Sequence, residues 1–183
     1  MNYATIKPRD IANGPGVRVS LFVSGCTHRC KGCFNEVAWD FNYGEPFTQA
    51  TIDDILNMLE PDFVKGITLL GGEPFEPQNQ KPIVELLRQI KAKYPRKSIW
   101  AFSGYLFDKD ILAGRLGDPS LTREYLEYLD VLVDGPFIEA QKNLSLRFRG
   151  SENQRIIDVK KSLKAGQIVL WQDWQTDTRG MQV

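Results

Sequence analysis

Apolar residues along this chain follow two spacings in turn. In "GVRVSLFV" (16–23), Val17, Val19, Leu21 and Val23 fall on every second position, which predicts a strand with one face turned to a core. "TIDDILNMLE" (51–60) changes to helical spacing, with Ile52, Ile55, Leu56 and Leu59 on one side, Thr51 placed to cap it and Pro61 beyond its end. "GITLL" (66–70) predicts a short buried strand running into "GGEP". "KPIVELLRQIKAKY" (81–94) predicts a helix with Pro82 in its first turn and Ile83, Leu86, Leu87 and Ile90 on one face.

The alternation continues. "SIWAF" (98–102) predicts a third strand entering "SGY", "TREYLEYL" (122–129) a helix, and "DVLVDG" (130–135) a fourth strand closing at Asp134. Further on, "QRIIDV" (154–159) and "QIVLW" (167–171) read as strands, and the polar tail from Gln172 reads as loosely held. Strand, loop and helix in repetition imply α/β architecture with mostly parallel strands. A closed eight-fold barrel takes roughly 250 residues, so 183 residues favour a single domain built as an open or partial (βα) barrel.

Such sheets bind ligands at the carboxyl ends of their strands. The chemically unusual residues all fall there. A cysteine-rich loop follows the first strand, Gly71-Gly72-Glu73 the second and Ser103-Gly104-Tyr105 the third, and Asp134 ends the fourth.

Composition narrows the function classes. Lys plus Arg equals Asp plus Glu at 23 each, so no global field draws the chain to nucleic acid or an anionic membrane. Between Lys142 and Lys164 seven basic residues stand against two acidic ones, for most of which a solvated face is the simplest reading. No apolar run has the length of a membrane span, and "MNYATIKPRD" lacks the apolar stretch of a secretory signal. A cytoplasmic location is expected.

The three cysteines, Cys26, Cys30 and Cys33, lie within "CTHRCKGC". In a reducing compartment they are expected to hold metal rather than pair. Structural zinc needs a fourth ligand, and the one histidine, His28, lies in the same loop; zinc sites usually join ligand pairs from separate segments. Buried incidental thiols fit poorly with the polar residues between them. An iron–sulfur cube, normally held by four thiolates, would here keep one iron without a protein ligand and open to a substrate.

The C-x3-C-x2-C spacing resembles the signature of the radical S-adenosylmethionine (SAM) enzymes. That resemblance implies a 4Fe-4S cluster on the three cysteines and a partial (βα) barrel of the radical SAM type. It also implies SAM chelating the open iron and its reductive cleavage to a 5′-deoxyadenosyl radical. "DIANGPGVRVSLFVSGC", "CKGCFN", "TLLGGEP", "VLVDGPF" and "LRFRGSENQRIIDV" are further similar, in order and spacing, to the activating proteins of the anaerobic (class III) ribonucleoside-triphosphate reductase. The similarity spans residues 1–159 and leaves 160–183 as a C-terminal extension of unassigned role.

The resemblance implies hydrogen abstraction from a glycine of the large catalytic subunit of that reductase, with reduced flavodoxin as electron donor. It assigns Gly32, Cys33, Phe34, Gly71, Gly72, Glu73 and Asp134 to SAM, with Glu73 near its ammonium and a strand-end turn in "DGPF" as the equal alternative for Asp134. Many superfamily members carry an aromatic residue just before the third cysteine; here Gly32 stands there and the aromatic follows as Phe34. Ser103, Tyr105, Arg147, Arg149 and Asn153 are candidates for partner or SAM contact, and His28 for a solvated loop residue. The rival readings are an activator of the pyruvate formate-lyase type, a small-molecule enzyme of the 7-carboxy-7-deazaguanine synthase type, and a metal-binding interaction module without catalysis.

Overall fold

A computed structural model describes residues 1–172. Its seven strands are β1 (Asn2–Asp10), β2 (Val17–Val23), β3 (Glu45–Pro46), β4 (Val64–Gly71), β5 (Ser98–Ser103), β6 (Val131–Asp134) and β7 (Arg155–Asp158). They form one sheet in the order β3-β1-β2-β4-β5-β6-β7. The middle four, β2, β4, β5 and β6, are mutually parallel. Antiparallel strands edge them, with β1 and β3 on one side and β7 on the other. The parallel centre is as expected from the alternating pattern.

Helices α1 (Gln49–Leu59), α2 (Pro77–Lys93) and α3 (Pro119–Tyr128) lie over one face of this sheet. Val19, Leu21, Val23, Ile67, Leu69, Ile99, Ala101 and Leu132 meet Ile52, Ile55, Ile83, Leu87 and Leu126 there, in the main core. Each such side chain, taken out of water, contributes about 1.5–3 kcal/mol. The opposite face carries the alternate residues. Trp100, Val131 and Val133 form a smaller cluster covered by Phe148 and Trp171.

On that second face Arg18 is buried, donating to Thr68 Oγ1 (2.8 Å), Ser98 Oγ (2.9 Å), Ile67 O (2.7 Å) and Ser98 O (3.0 Å). Burial lowers its pKa to about 10. Thr68 Oγ1 passes the connection on to Asn13 O at 2.7 Å, which ties the loop before β2 to the sheet.

Local details correct the expected boundaries. Thr48, not Thr51, caps α1; Thr51 sits three residues in and returns the bond, so the two make a reciprocal pair. α2 starts at Pro77, which leaves Pro82 in its second turn rather than its first. Its opening turn is polar, and Asn79 and Gln80 are buried there, so apolar spacing did not reveal it. A π-turn (Phe107–Ile111) follows β5. "QIVLW" is not a strand and makes only an isolated bridge, Ile157 to Leu170. β1 was not expected, because "NYATIKPRD" has few apolar positions and serves near the sheet's edge.

Helix α4 (Val159–Ala165) follows β7, capped by Asp158, and ends at Gly166 in the left-handed region. The chain then returns to the sheet, with Asp158 N donating to Val169 O and Trp171 N to Ile156 O. The polar tail lies outside the described residues beyond Gln172. Among the described residues, no helix is long and apolar enough to cross a membrane.

Candidate functional site

Successive parallel strands deliver four loops to one end of the sheet, and a cleft of about 470 Å3 opens between them. Cys26, Cys30, Gly32, Cys33 and Phe34 line it from the loop after β2. Gly71, Gly72 and Glu73 line it from the end of β4 onward, and Ser103 from the end of β5. Arg149 lines it from the segment after β6. The expected convergence at the carboxyl ends of the strands is what the structure has.

The first part of the cysteine loop is held by backbone bonds. Gly25 N donates to Ala38 O (2.8 Å), Cys26 N to Trp39 O (3.2 Å) and Glu73 N to Gly25 O (2.8 Å). Gly72 makes this closeness possible: a Cβ there would stand 2.5 Å from Gly25 O and 2.9 Å from Ala38 O. Its lack of a side chain is a packing requirement as well as an opening toward a ligand.

Thr27 is fastened next. Its N–H and hydroxyl both donate to Oε1 of the buried Glu76, the former at 2.8 Å and the latter at 2.5 Å. Beyond it, His28 turns inward, and Lys31 at the surface pairs with Glu139 at 3.2 Å.

Glu73 is 1% exposed, and its carboxylate is fully engaged. Oε1 accepts from Phe75 N (2.8 Å) and Ser103 Oγ (2.9 Å), and Oε2 from Gly104 N (2.7 Å). His28 Nε2 lies 3.1 Å from Oε2. The histidine expected to be a solvated loop residue is thus half-buried, with its ring against Tyr105 at 4.3 Å between centroids. Burial works to lower the His28 pKa; the bond to Glu73 and that residue's charge outweigh it, and the pKa is raised.

The other expected residues divide. Phe34 projects at the mouth of the cleft, 86% exposed. Arg149 donates to Gln154 O at 2.6 Å while lining the wall. Tyr105 does not line the cleft; its hydroxyl reaches Thr27 Oγ1 at 3.3 Å. Asp134 is fully buried beside it, taking Arg155 Nε (2.9 Å) and Phe107 N (2.7 Å) and closing a two-pronged ion pair with Arg155. Asn153 donates to Pro136 O (2.8 Å), and Arg147 lies over the Phe148 ring at 4.9 Å.

In the basic stretch, Lys142 and Arg149 face the cleft, while Arg155, Lys160 and Lys161 are used in ion pairs with Asp134, Asp130 and Asp158. Sequence reading missed Thr27, Glu76 and Arg155. Each is a polar residue beside a conspicuous one, and none carries a signal of its own.

The donor set fits an iron–sulfur cube. The cysteines are free, partly exposed thiols on one loop, and all three face the same cleft. Their only neighbouring imidazole is engaged by Glu73. Burial pushes the Cys26 thiol up to about 12, so an unloaded Cys26 is a neutral thiol that iron must deprotonate on binding.

Comparison with known proteins agrees with this geometry. The family of 4Fe-4S single cluster domains matches residues 12–157. The chain is 44% identical over 156 residues to the anaerobic ribonucleoside-triphosphate reductase-activating protein of Escherichia coli K12, covering 84% of this chain and 96% of the relative. It is 42% identical over 158 residues to the protein of that name from Enterobacteria phage T4, which covers 85% of this chain and 93% of the relative. The corresponding Vibrio cholerae protein is 41% identical over 158 residues, with 85% and 97% covered.

Proposed function

Since the chain belongs to the anaerobic ribonucleoside-triphosphate reductase-activating proteins, we propose that the cleft at its strand ends is where SAM binds and where the reductase presents its glycine. The protein is a radical enzyme that activates the anaerobic ribonucleotide reductase. Its 4Fe-4S cluster belongs on Cys26, Cys30 and Cys33. Bound there, the cluster would supply the single electron needed to cleave the SAM sulfonium reductively.

The chain's own residues bind and orient. Gly71 and Gly72 present bare backbone to the methionine end of SAM, Gly71 packed on β2 and Gly72 on the cysteine loop. Glu73 stands at the same wall, and its four internal partners fix it there; its access to the SAM ammonium requires His28 to yield. Gly32 and Phe34 flank Cys33 at the mouth, and Ser103 and Arg149 complete the walls. Asp134, Tyr105, Arg147 and Asn153 support these walls rather than facing the cleft, and act on SAM or the partner through them.

The product of the reaction is a glycyl radical on the large catalytic subunit of the reductase. Glycine suits this role because no side chain prevents its radical carbon from flattening between two peptide groups. The open end of the cleft, with Phe34 and Leu144 exposed beside it, suits a polypeptide substrate better than an enclosed small molecule. Reduced flavodoxin is the proposed electron donor, and the cytoplasm the compartment in which the thiols stay reduced. Residues 1–159 form the proposed radical SAM partial barrel, with 160–183 as its extension.

The observation that carries this reading is the meeting of three free cysteines with the Gly71-Gly72-Glu73 turn across one cleft. Its test is anaerobic reconstitution with iron and sulfide, followed by SAM and dithionite. Release of 5′-deoxyadenosine is expected, and a loaded protein that releases none contradicts it.

A further inference from the structure

We propose that Glu76 is a positioning residue for the iron–sulfur cluster: through Thr27 it holds the loop between Cys26 and Cys30, and its carboxylate keeps the cluster hard to reduce. The inference rests on the cluster assignment above and needs neither SAM nor the reductase.

The geometry has two parts. Glu76 is 4% exposed and precedes the first turn of α2, so its place is set by the helix rather than by the loop. From there one oxygen takes both the N–H and the hydroxyl of Thr27, the residue after the first cysteine. A carboxylate oxygen has the lone pairs to accept both bonds. Tyr105 lies 3.3 Å from the same Thr27 hydroxyl, on the exposed side of this corner.

The charges nearby are not equivalent. Glu73 has a group that can carry positive charge among its partners, His28 at 3.1 Å. Both bonds accepted by Glu76 come from neutral donors. Its negative charge is left to act on the cysteine loop that it holds through Thr27. Adding an electron to a cluster beside a buried anion is disfavoured by like-charge repulsion. Net charge, hydrogen bonding and exposure are the factors that set cluster potentials.

Two variants of the full chain separate the parts. Glu76→Gln keeps the shape and an oxygen that accepts both bonds but removes the charge. Thr27→Val removes the hydroxyl bond and keeps the charge. Both are reconstituted anaerobically, assayed for iron and sulfide, and titrated potentiometrically by electron paramagnetic resonance.

The expected result is parental iron content and a more positive midpoint potential for Glu76→Gln. For Thr27→Val it is a parental potential with iron affinity reduced by about tenfold, as found for residues that support metal ligands. A loaded Glu76→Gln chain with the parental potential overturns the charge role. A Thr27→Val chain with parental iron affinity overturns the tether. If Glu76→Gln loses the fold of the iron-free chain, as read by circular dichroism, Glu76 is a general stability residue and the proposal is wrong. Failure of the parent itself to take up iron would instead contradict the cysteine assignment, which keeps the two failures apart.

Discussion

His28 Nε2 lies 3.1 Å from Glu73 Oε2, and the ring reaches it only because Gly104 has no side chain. A Cβ at Gly104 would stand 2.6 Å from the imidazole. Gly104→Ala is therefore expected to push the ring off the carboxylate while leaving the sheet intact. The His28 pKa should then fall toward its ordinary value. As the chain has one histidine, a proton NMR titration of the iron-free protein reads it directly; an unchanged pKa would contradict the contact.

The same contact fixes a pH dependence. The folded pKa of His28 is raised, so the iron-free protein binds this proton more tightly folded than unfolded. Its stabilisation is fully present below the ordinary histidine pKa of about 6.5 and is lost as pH rises through the folded value. Urea unfolding across that window should show stability falling with pH in the parent, with the slope reduced in Glu73→Gln.

Asp134 and Arg155 offer a second test. Asp134 is wholly buried and its partner only partly so. Removing Arg155 leaves a buried anion without its cation, at a cost on the order of 3 kcal/mol. Arg155→Ala is expected to lower the urea midpoint strongly and Asp134→Asn/Arg155→Ala to recover part of the loss. Equal losses in the two would mean that the pair is not coupled.

Gly72 tests the wall that joins the two motifs. Gly72→Ala would force a methyl group against two backbone carbonyls, which cannot give way as a side chain tip can. A loss of about 1–3 kcal/mol is expected, together with weaker cluster assembly, because Gly25 and Cys26 are the neighbours displaced. Thermal unfolding and iron content check both; parental values in each would show that the approach is not tight.

How far the sequence disclosed this protein depends on what each residue touches. Strands at the centre of the sheet were legible because both faces are buried and Val19, Leu21, Leu69 and Leu132 leave an apolar trace. β1 left little, since a largely polar strand near the sheet's edge is held by backbone pairing and sends only Tyr3 and Ile6 to the core. Thr51 looked like a cap because Thr48 and Thr51 share the motif, and sequence alone does not say which begins the helix.

At the site, the cysteines and glycines declared themselves by type and spacing. Their supports did not. His28 read as solvated because its partner, Glu73, comes from a different strand end, and the link between Thr27 and Glu76 spans the same gap. Asp134 lay where a ligand contact was expected, but its oxygens are taken by Arg155 and the backbone of Phe107.

The most direct test is electron paramagnetic resonance of an anaerobic mixture. It contains the cluster-loaded protein, SAM, dithionite and the reductase large subunit. A glycyl radical signal on the large subunit is predicted, dependent on SAM and absent when Cys26, Cys30 or Cys33 is replaced by serine. Fully loaded protein that binds the large subunit but yields no such radical would contradict the account.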